Sequence, residues 1–328
     1  MKQRLASWLG LCVFAMWISH ATLAQPQPYP QRPVRLIVPF AAGGTTDIVA
    51  RGVAQRVSMA WKQQVVVDNR PGAGTLLGAD IVLNAAPDGY TLLMMGTSTT
   101  INTTPTAHNP KPRINLERDF TPIILCATGA NILAVRANAP FKSVKDIIAA
   151  AKAKPASLSY GSAGVGSSNH LSGELLQQMA GIQLVHVPYK GNSPSITDAI
   201  GGQIDMVIAG AAALLPFTKA GRLRGIAIGS KQRFSLLPDV PTFDESGLPG
   251  YEMPNFFGFA APAGAPRDVV SKINRDTATE LKHPDIIQQM LNDGLAARGG
   301  SPEDFVRFIR ERKAQLAGLI QAANIRLQ

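Results

Sequence analysis

The chain has 328 residues, enough for two domains, with 45% apolar and 16% charged side chains, a globular composition that excludes a disordered polypeptide. Its formal charge is +10, from 32 basic and 22 acidic residues. The basic residues are scattered and never form a run interleaved with aromatics, which argues against nucleic acid as a partner.

Lys2 and Arg4 precede an apolar run from Leu5 to Ser19, followed by the small-residue stretch Thr22-Leu23-Ala24. This is the pattern of a signal peptide, residues 1–24, cut after Ala24. The run is shorter than the roughly 20 apolar residues of a membrane span. Leu11 before Cys12 does not suit a lipid attachment site, and losing Lys2 and Arg4 takes the net charge from +10 to +8. The mature chain then keeps only Cys126, which has no intramolecular disulfide partner. An exported protein, periplasmic in a Gram-negative source, is expected.

After a proline-rich lead over Gln25–Gln31, the β-branched segment Val34–Val38 reads as a strand. Pro39-Phe-Ala-Ala-Gly-Gly-Thr-Thr-Asp47 then forms a glycine turn into a helix whose apolar face starts at Ile48, Val49, Val53 and Val57. Free N–H groups and the positive helix end meet there, which favours an anion without any lysine or arginine. Gln64–Val67 reads as a second strand, Leu76–Ala86 as a helix ended by Pro87-Asp-Gly89, and Tyr90–Met95 as a third strand. That strand runs into a polar tip, Gly96–Thr100, with Thr97 and Ser98 at its start. Ile123–Ala127 and Asn131–Val135 read as two apolar pieces around Gly129, and Ser143 with Asp146 as a capping box.

The same architecture then recurs. Ser157–Tyr160 is a short strand, Gly161–His170 a glycine/serine loop, and Leu171, Leu175, Leu176 and Met179 a helical face. Leu184–Val187, Ile204–Ala209 and Arg224–Ile228 read as further strands, with a helix opening at Ser193-Pro194. Arg267–Leu281 and Pro302–Ala322 close the chain as helices expected to pack on the first half. Two strand–glycine loop–helix units imply an α/β fold of two lobes, each a mixed, largely parallel sheet flanked by helices, with the ligand cleft between. The expected division is residues 25–125 with 236–328 as lobe 1 and 126–235 as lobe 2.

Several motifs carry less. Gly161–Gly166 lacks the lysine of a phosphate loop, so no cofactor is expected. Five histidines without ligand spacing give no metal site. Ser167 with His170 is the sole hint of a hydrolase, and the G-x-S-x-G spacing is absent. Asp47 either complements the helix dipole or touches the ligand, Tyr189 sits at a strand end, and Asp205 opens a strand.

Tyr29–Asp47, Val67–Gly74, Ala86–Leu93, Ser159–Ser167 with His170-Leu171, His186–Gly191, Leu237–Thr242 and Gly258–Gly264 together resemble the Bug-type periplasmic solute-binding receptors of tripartite tricarboxylate transporters. The blocks run in one order over nearly the whole mature chain. The resemblance implies a two-lobed fold of the periplasmic-binding-protein type (type II), a small organic acid as ligand, a membrane permease as partner, no enzymatic activity, and a monomer. It implies a ligand site from Phe40, Ala42, Gly43, Gly44, Thr46, Asp47, Thr97, Ser98, Ser162, Gly164, Gly166, Ser167, Tyr189 and Asp205. Family members often carry an Asp-Asn pair where this chain has Ala209 and Gly210, which points away from an amino-acid ligand. A sensory binding protein reporting to a signalling partner would use the same cleft.

Overall fold

Why the chain folds as it does starts with its strands, which are short and β-branched, and its helices, which begin where glycine or serine follows them. The computed structural model describes residues 29–105 and 110–322. The expected leader and most of the proline-rich lead lie outside them. Val34–Val38 is β1, and α1 (Thr45–Trp61) follows the glycine turn. Then come β2 (Val65–Asn69), α2 (Leu76–Leu83), β3 (Thr91–Gly96), α3 (Thr97–Asn102), α4 (Leu116–Asp119) and β4 (Phe120–Arg136). The second set is α5 (Val144–Ala153), β5 (Ser159–Ser162), α6 (Ser168–Ala180), β6 (Val185–Pro188), α7 (Asn192–Gly201), β7 (Met206–Gly210), α8 (Ala211–Lys219) and β8 (Leu223–Ile228). The chain ends with β9 (Pro254–Pro262), α9 (Arg267–Glu280), α10 (Pro284–Asn292), β10 (Ala296–Gly299) and α11 (Pro302–Ala322).

The fold is mixed α/β, with strands in the order β2-β1-β3-β9-β4-β7-β5-β6 and with β8 and β10 also paired to β4. β1 runs parallel to β2 and β3, and β5 runs parallel to β6 and β7. These are the two β-α-β units legible in the sequence. The antiparallel strands join them. β4 pairs with β9 over Phe120–Ala130, then with β7 and β8 over Asn131–Arg136.

Three differences from the sequence reading have local causes. β4 is one 17-residue strand rather than two pieces, because Gly129 leaves room for Leu295, which would lie 2.7 Å from an added Cβ. The Gly96–Thr100 tip is helical: Thr100, Thr103 and Thr104 donate their hydroxyls to carbonyls four residues back, at 3.2, 2.8 and 2.7 Å. Asn192 rather than Ser193 opens α7, with Gly191 before it as N-cap.

The last helix also departs from expectation. α11 starts on the cluster holding Ile37, Leu93, Phe120 and Phe256, to which it adds Phe305 and Ile309. Its second half delivers Leu316 and Ile320 to a different cluster, with Leu133, Val144, Leu171 and Tyr251. A 21-residue helix spans about 30 Å, long enough to serve both.

Close packing of β9 yields a test. A Cβ on Gly258 would meet the Phe305 ring at 2.4 Å and the Ile124 carbonyl oxygen at 2.5 Å. Gly258→Ala is expected to destabilise by about 1–3 kcal/mol. Gly318→Ala, where an added Cβ meets nothing within 4 Å on a helix, is expected to stabilise by about 0.5–1 kcal/mol. Urea unfolding of both variants checks the pair.

Candidate functional site

β1, β3, β5 and β7 all end at one place, and the segments after them line a small cavity. Its walls are Phe40, Gly44, Thr45 and Thr46 after β1, Ser98 after β3, Ala163 and Asn169 after β5, Asn192 on α7, Gly210 at the end of β7, and Asn255 with Phe257 on β9. Its volume is about 20 Å³, room for roughly one water molecule. None of these residues is charged.

The cavity is instead ringed by helix starts. α1, α7 and α8 begin at Gly44, Gly191 and Gly210, and none of the three has a side-chain cap. Their first N–H groups, and roughly half a positive charge per helix, are turned toward this region. Thr45 is only 4% exposed, and its hydroxyl has no hydrogen-bond partner. Such a buried, unpaired hydroxyl normally costs stability. It stands in the cavity wall.

Asp47 is what shapes the first loop. Its carboxylate accepts from the Gly43 N–H at 2.9 Å, from Arg51 Nε at 2.9 Å and from Asn69 Nδ2 at 2.9 Å. Burial alone would raise its pKa, but these hydrogen bonds outweigh that and hold it below the usual 3.8. Both oxygens are thus occupied, so Asp47 holds the loop rather than facing the cavity. The same bond uses the Gly43 N–H. Gly43 has φ +80°, a conformation that favours glycine, and an added Cβ would meet Ser193 Oγ at 2.8 Å.

A chain of asparagines forms the floor. Asn131 Oδ1 accepts from Asn255 Nδ2 at 2.6 Å and from Asn169 Nδ2 at 2.8 Å. Asn169 Oδ1 accepts from Asn192 Nδ2 at 3.1 Å, and Asn131 Nδ2 donates to Ser172 Oγ at 2.8 Å. All four asparagines are buried. They tie β4 and β9 to the starts of α6 and α7.

The loops also touch across the cavity. The Ala41 N–H donates to the Lys190 carbonyl at 3.0 Å, and Ser193 Oγ to the Ala42 carbonyl at 2.7 Å. On the other side the Ser168 N–H donates to Ser98 Oγ at 3.1 Å, and Asn102 Nδ2 to the Gly166 carbonyl at 2.9 Å.

Of the residues expected at the site, Phe40, Gly44, Thr46 and Ser98 line the cavity. Ala42, Gly43 and Asp47 build the first loop, and Gly166 meets Asn102 across the seam. Thr97 is tied to β9, accepting from the Phe256 N–H at 3.1 Å. Ser162 is fully buried, hydrogen-bonded to His186 Nε2 at 2.7 Å and to the Gly164 N–H at 3.0 Å. Ser167 caps α6 by accepting from the His170 N–H at 3.1 Å. Tyr189 donates to Asp198 at 2.6 Å. Asp205 belongs elsewhere: it is exposed at the start of β7 and accepts from Ser159 N and Oγ, both at 2.8 Å. The strand carries its other end, Gly210, to the cavity.

Thr45, Ala163, Asn169, Asn192, Asn255 and Phe257 were not singled out from sequence as ligand contacts, whereas Gly210 was noted as a small residue bearing on ligand choice. Asn131 and Asn255 each interrupt an apolar strand, the one local signal that was present.

Ser167 and His170 do not form a nucleophile–base pair. The serine hydroxyl meets the backbone of His170, whose Nδ1 accepts from the Gly166 N–H at 3.2 Å. His170 stacks on His186 at 4.1 Å, beneath the second loop. A larger groove of about 850 Å³ between α9 and the start of α11 contains Arg307 and Arg310, but these pair with Asp304 and Glu117.

The profile of the tripartite tricarboxylate transporter family receptor matches residues 49–325. The chain is 37% identical over 290 residues to a UPF0065 protein from the tcbD–tcbE intergenic region of Pseudomonas sp. (strain P51), covering 88% of this chain and 85% of that one. It resembles an R. palustris protein solved with adipate (34% identity, TM-score 0.86, 91% of this chain and 99% of that one). It also resembles the periplasmic binding protein BugD (32%, TM-score 0.85, 92% and 100%).

The stacked histidines give a pH prediction. Burial pushes His186 down to about 4, and burial with repulsion from His186 pushes His170 down to about 3. The unfolded chain protonates both near 6.5, so it binds more protons below that pH, and stability is lost as the pH falls from about 6.5 toward 4. Asp47 adds a further loss below 3.8. Urea midpoints measured across this range should fall with pH, and the slope above pH 4 should flatten in His186→Asn. The family match over residues 49–325, with relatives more than 30% identical over most of their length, makes this chain a member of the Bug-type receptor family of tripartite tricarboxylate transporters.

Proposed function

We propose that the protein is a periplasmic receptor, without catalytic activity, that closes on a small organic carboxylate and delivers it to a tripartite tricarboxylate-type permease. The observation that carries this reading is the unpartnered Thr45 hydroxyl in a cavity ringed by three uncapped helix starts. An anion offers acceptors to donors of this kind. An ammonium, itself a donor, would complete none, and the carboxylate of the first loop, Asp47, is already occupied by Gly43, Arg51 and Asn69. The ligand is therefore a plain carboxylate without an α-amino group, and the adipate bound by the R. palustris relative has this chemistry.

The cavity of about 20 Å³ is several times too small for such an acid. Entry then requires the contacts Ala41–Lys190, Ser193–Ala42 and Asn102–Gly166 to part. We place the crossings between lobes at Ala130–Asn131, where β4 changes partners, and at Met253–Pro254. Phe243, Leu248, Tyr251 and Met253 pack on the second lobe's core, which favours these points over a division at residues 125/126 and 235/236. Lobe 1 in this reading also keeps α9 and the first half of α11.

Calorimetric titration of variants tests the reading. Thr45→Val removes a hydroxyl that has no internal partner, so folding stability should hold. Affinity for the carboxylate should drop about 10- to 100-fold, the worth of one hydrogen bond to a charge. Gly210→Val should abolish binding, because a Cβ there meets Thr45 Oγ1 at 2.3 Å. Asp205→Asn should bind like the parent. Unchanged affinity in both Thr45→Val and Gly210→Val would refute the site.

A further inference from the structure

We propose a second binding site, for an amphipathic organic anion, on the reverse side of the crossing strands. Side chains alternate along β9. Asn255 and Phe257 line the carboxylate cavity, while Phe256 packs away from it on Phe305 and Phe308. On that reverse side lies a second cavity of about 420 Å³, between Thr128–Ala130 of β4, Phe234, Leu295 and Phe308. Asn255 borders both cavities. The volume falls within the range of small-molecule sites.

Two arginines give this cavity its preference. Arg298 donates from Nε to Thr128 Oγ1 at 2.9 Å, and Arg312 lies over the Phe308 ring at 5.1 Å and donates to Gln315 at 2.7 Å. Neither pairs with a carboxylate among the described residues. The other charges of the lining are matched: Arg233 with Glu245 at 2.8 Å, and Glu252 with Lys231 at 3.5 Å. Leu291, 50% exposed, forms part of the rim. Carbon walls with two uncompensated guanidinium groups suit an anion with a flat or branched apolar body, an aromatic carboxylate or sulfonate.

Its position gives it leverage. Phe234 packs with the second-lobe cluster, and Phe308 with the first-lobe cluster. If the lobes part at the front, the gap behind the crossing strands narrows. A body lodged there holds the back apart and so favours the closed form. By linkage it tightens carboxylate binding, and the carboxylate tightens it equally. This coupling rests on the clamp reading of the front cavity; the existence of the rear site does not.

The test uses 1-anilinonaphthalene-8-sulfonate as probe, followed by fluorescence on the full mature chain. One saturable site is expected, weakened at least tenfold in Arg298→Gln/Arg312→Gln and within twofold of the parent in Gly210→Val. Saturating probe should tighten carboxylate binding at least threefold in the parent and not in the double-arginine variant. Probe binding that ignores the arginines, or that disappears in Gly210→Val, overturns the rear site. Arginine-dependent probe binding without any effect on carboxylate affinity overturns the coupling. A chain that binds the probe through its arginines but binds no carboxylate at all refutes the front reading and leaves the rear site standing.

Discussion

The site depends on three helix starts that carry no side-chain cap. Three helices start at one cavity with glycine as N-cap, so no side chain answers their first turn. A cationic side chain could supply the same charge, yet would bring a long flexible arm and a large solvation shell with it. Fixed N–H groups need no reorganisation when the anion arrives. They also favour the shared part of many ligands, the carboxylate, over any particular remainder.

Holding those groups in place requires order elsewhere. Asp47 fixes the first loop by accepting from Gly43, Arg51 and Asn69, and the asparagine chain fixes the floor. Asn131 matters most in that chain, because it sits where β4 exchanges β9 for β7 and β8 as partners. The residue that holds the cavity-lining amides of Asn169 and Asn255 is therefore also at the point where β4 changes partners. α11 reaches both hydrophobic clusters from the outside. Site geometry and lobe geometry are consequently the same problem.

How much of this was legible in the sequence follows from how local each feature is. Pro39–Asp47 was readable because strand, glycine turn and helix follow within a few residues, and the repeat at Ser157–Met179 was readable for the same reason. The floor was not: Asn131 and Asn255 meet from strands 124 residues apart, and neither belongs to a motif. α8 was hidden by an alanine run without periodicity and by Pro216 within it. Asp205 lies outside the cavity lining, a position the sequence made decidable. β7 runs from Met206 to Gly210, so its carboxyl end at the cavity is Gly210, and an acid preceding the strand belongs at the opposite edge.

The account is tested most directly by calorimetric titration of the mature protein with small mono- and dicarboxylates, each paired with its neutral amide and its α-amino analogue. Saturable binding of plain carboxylates, with the amides silent and the amino analogues weaker, is the predicted result. Amides that bind as well as their acids, or a preference for the α-amino analogues, would contradict an anion site built from uncapped helix starts.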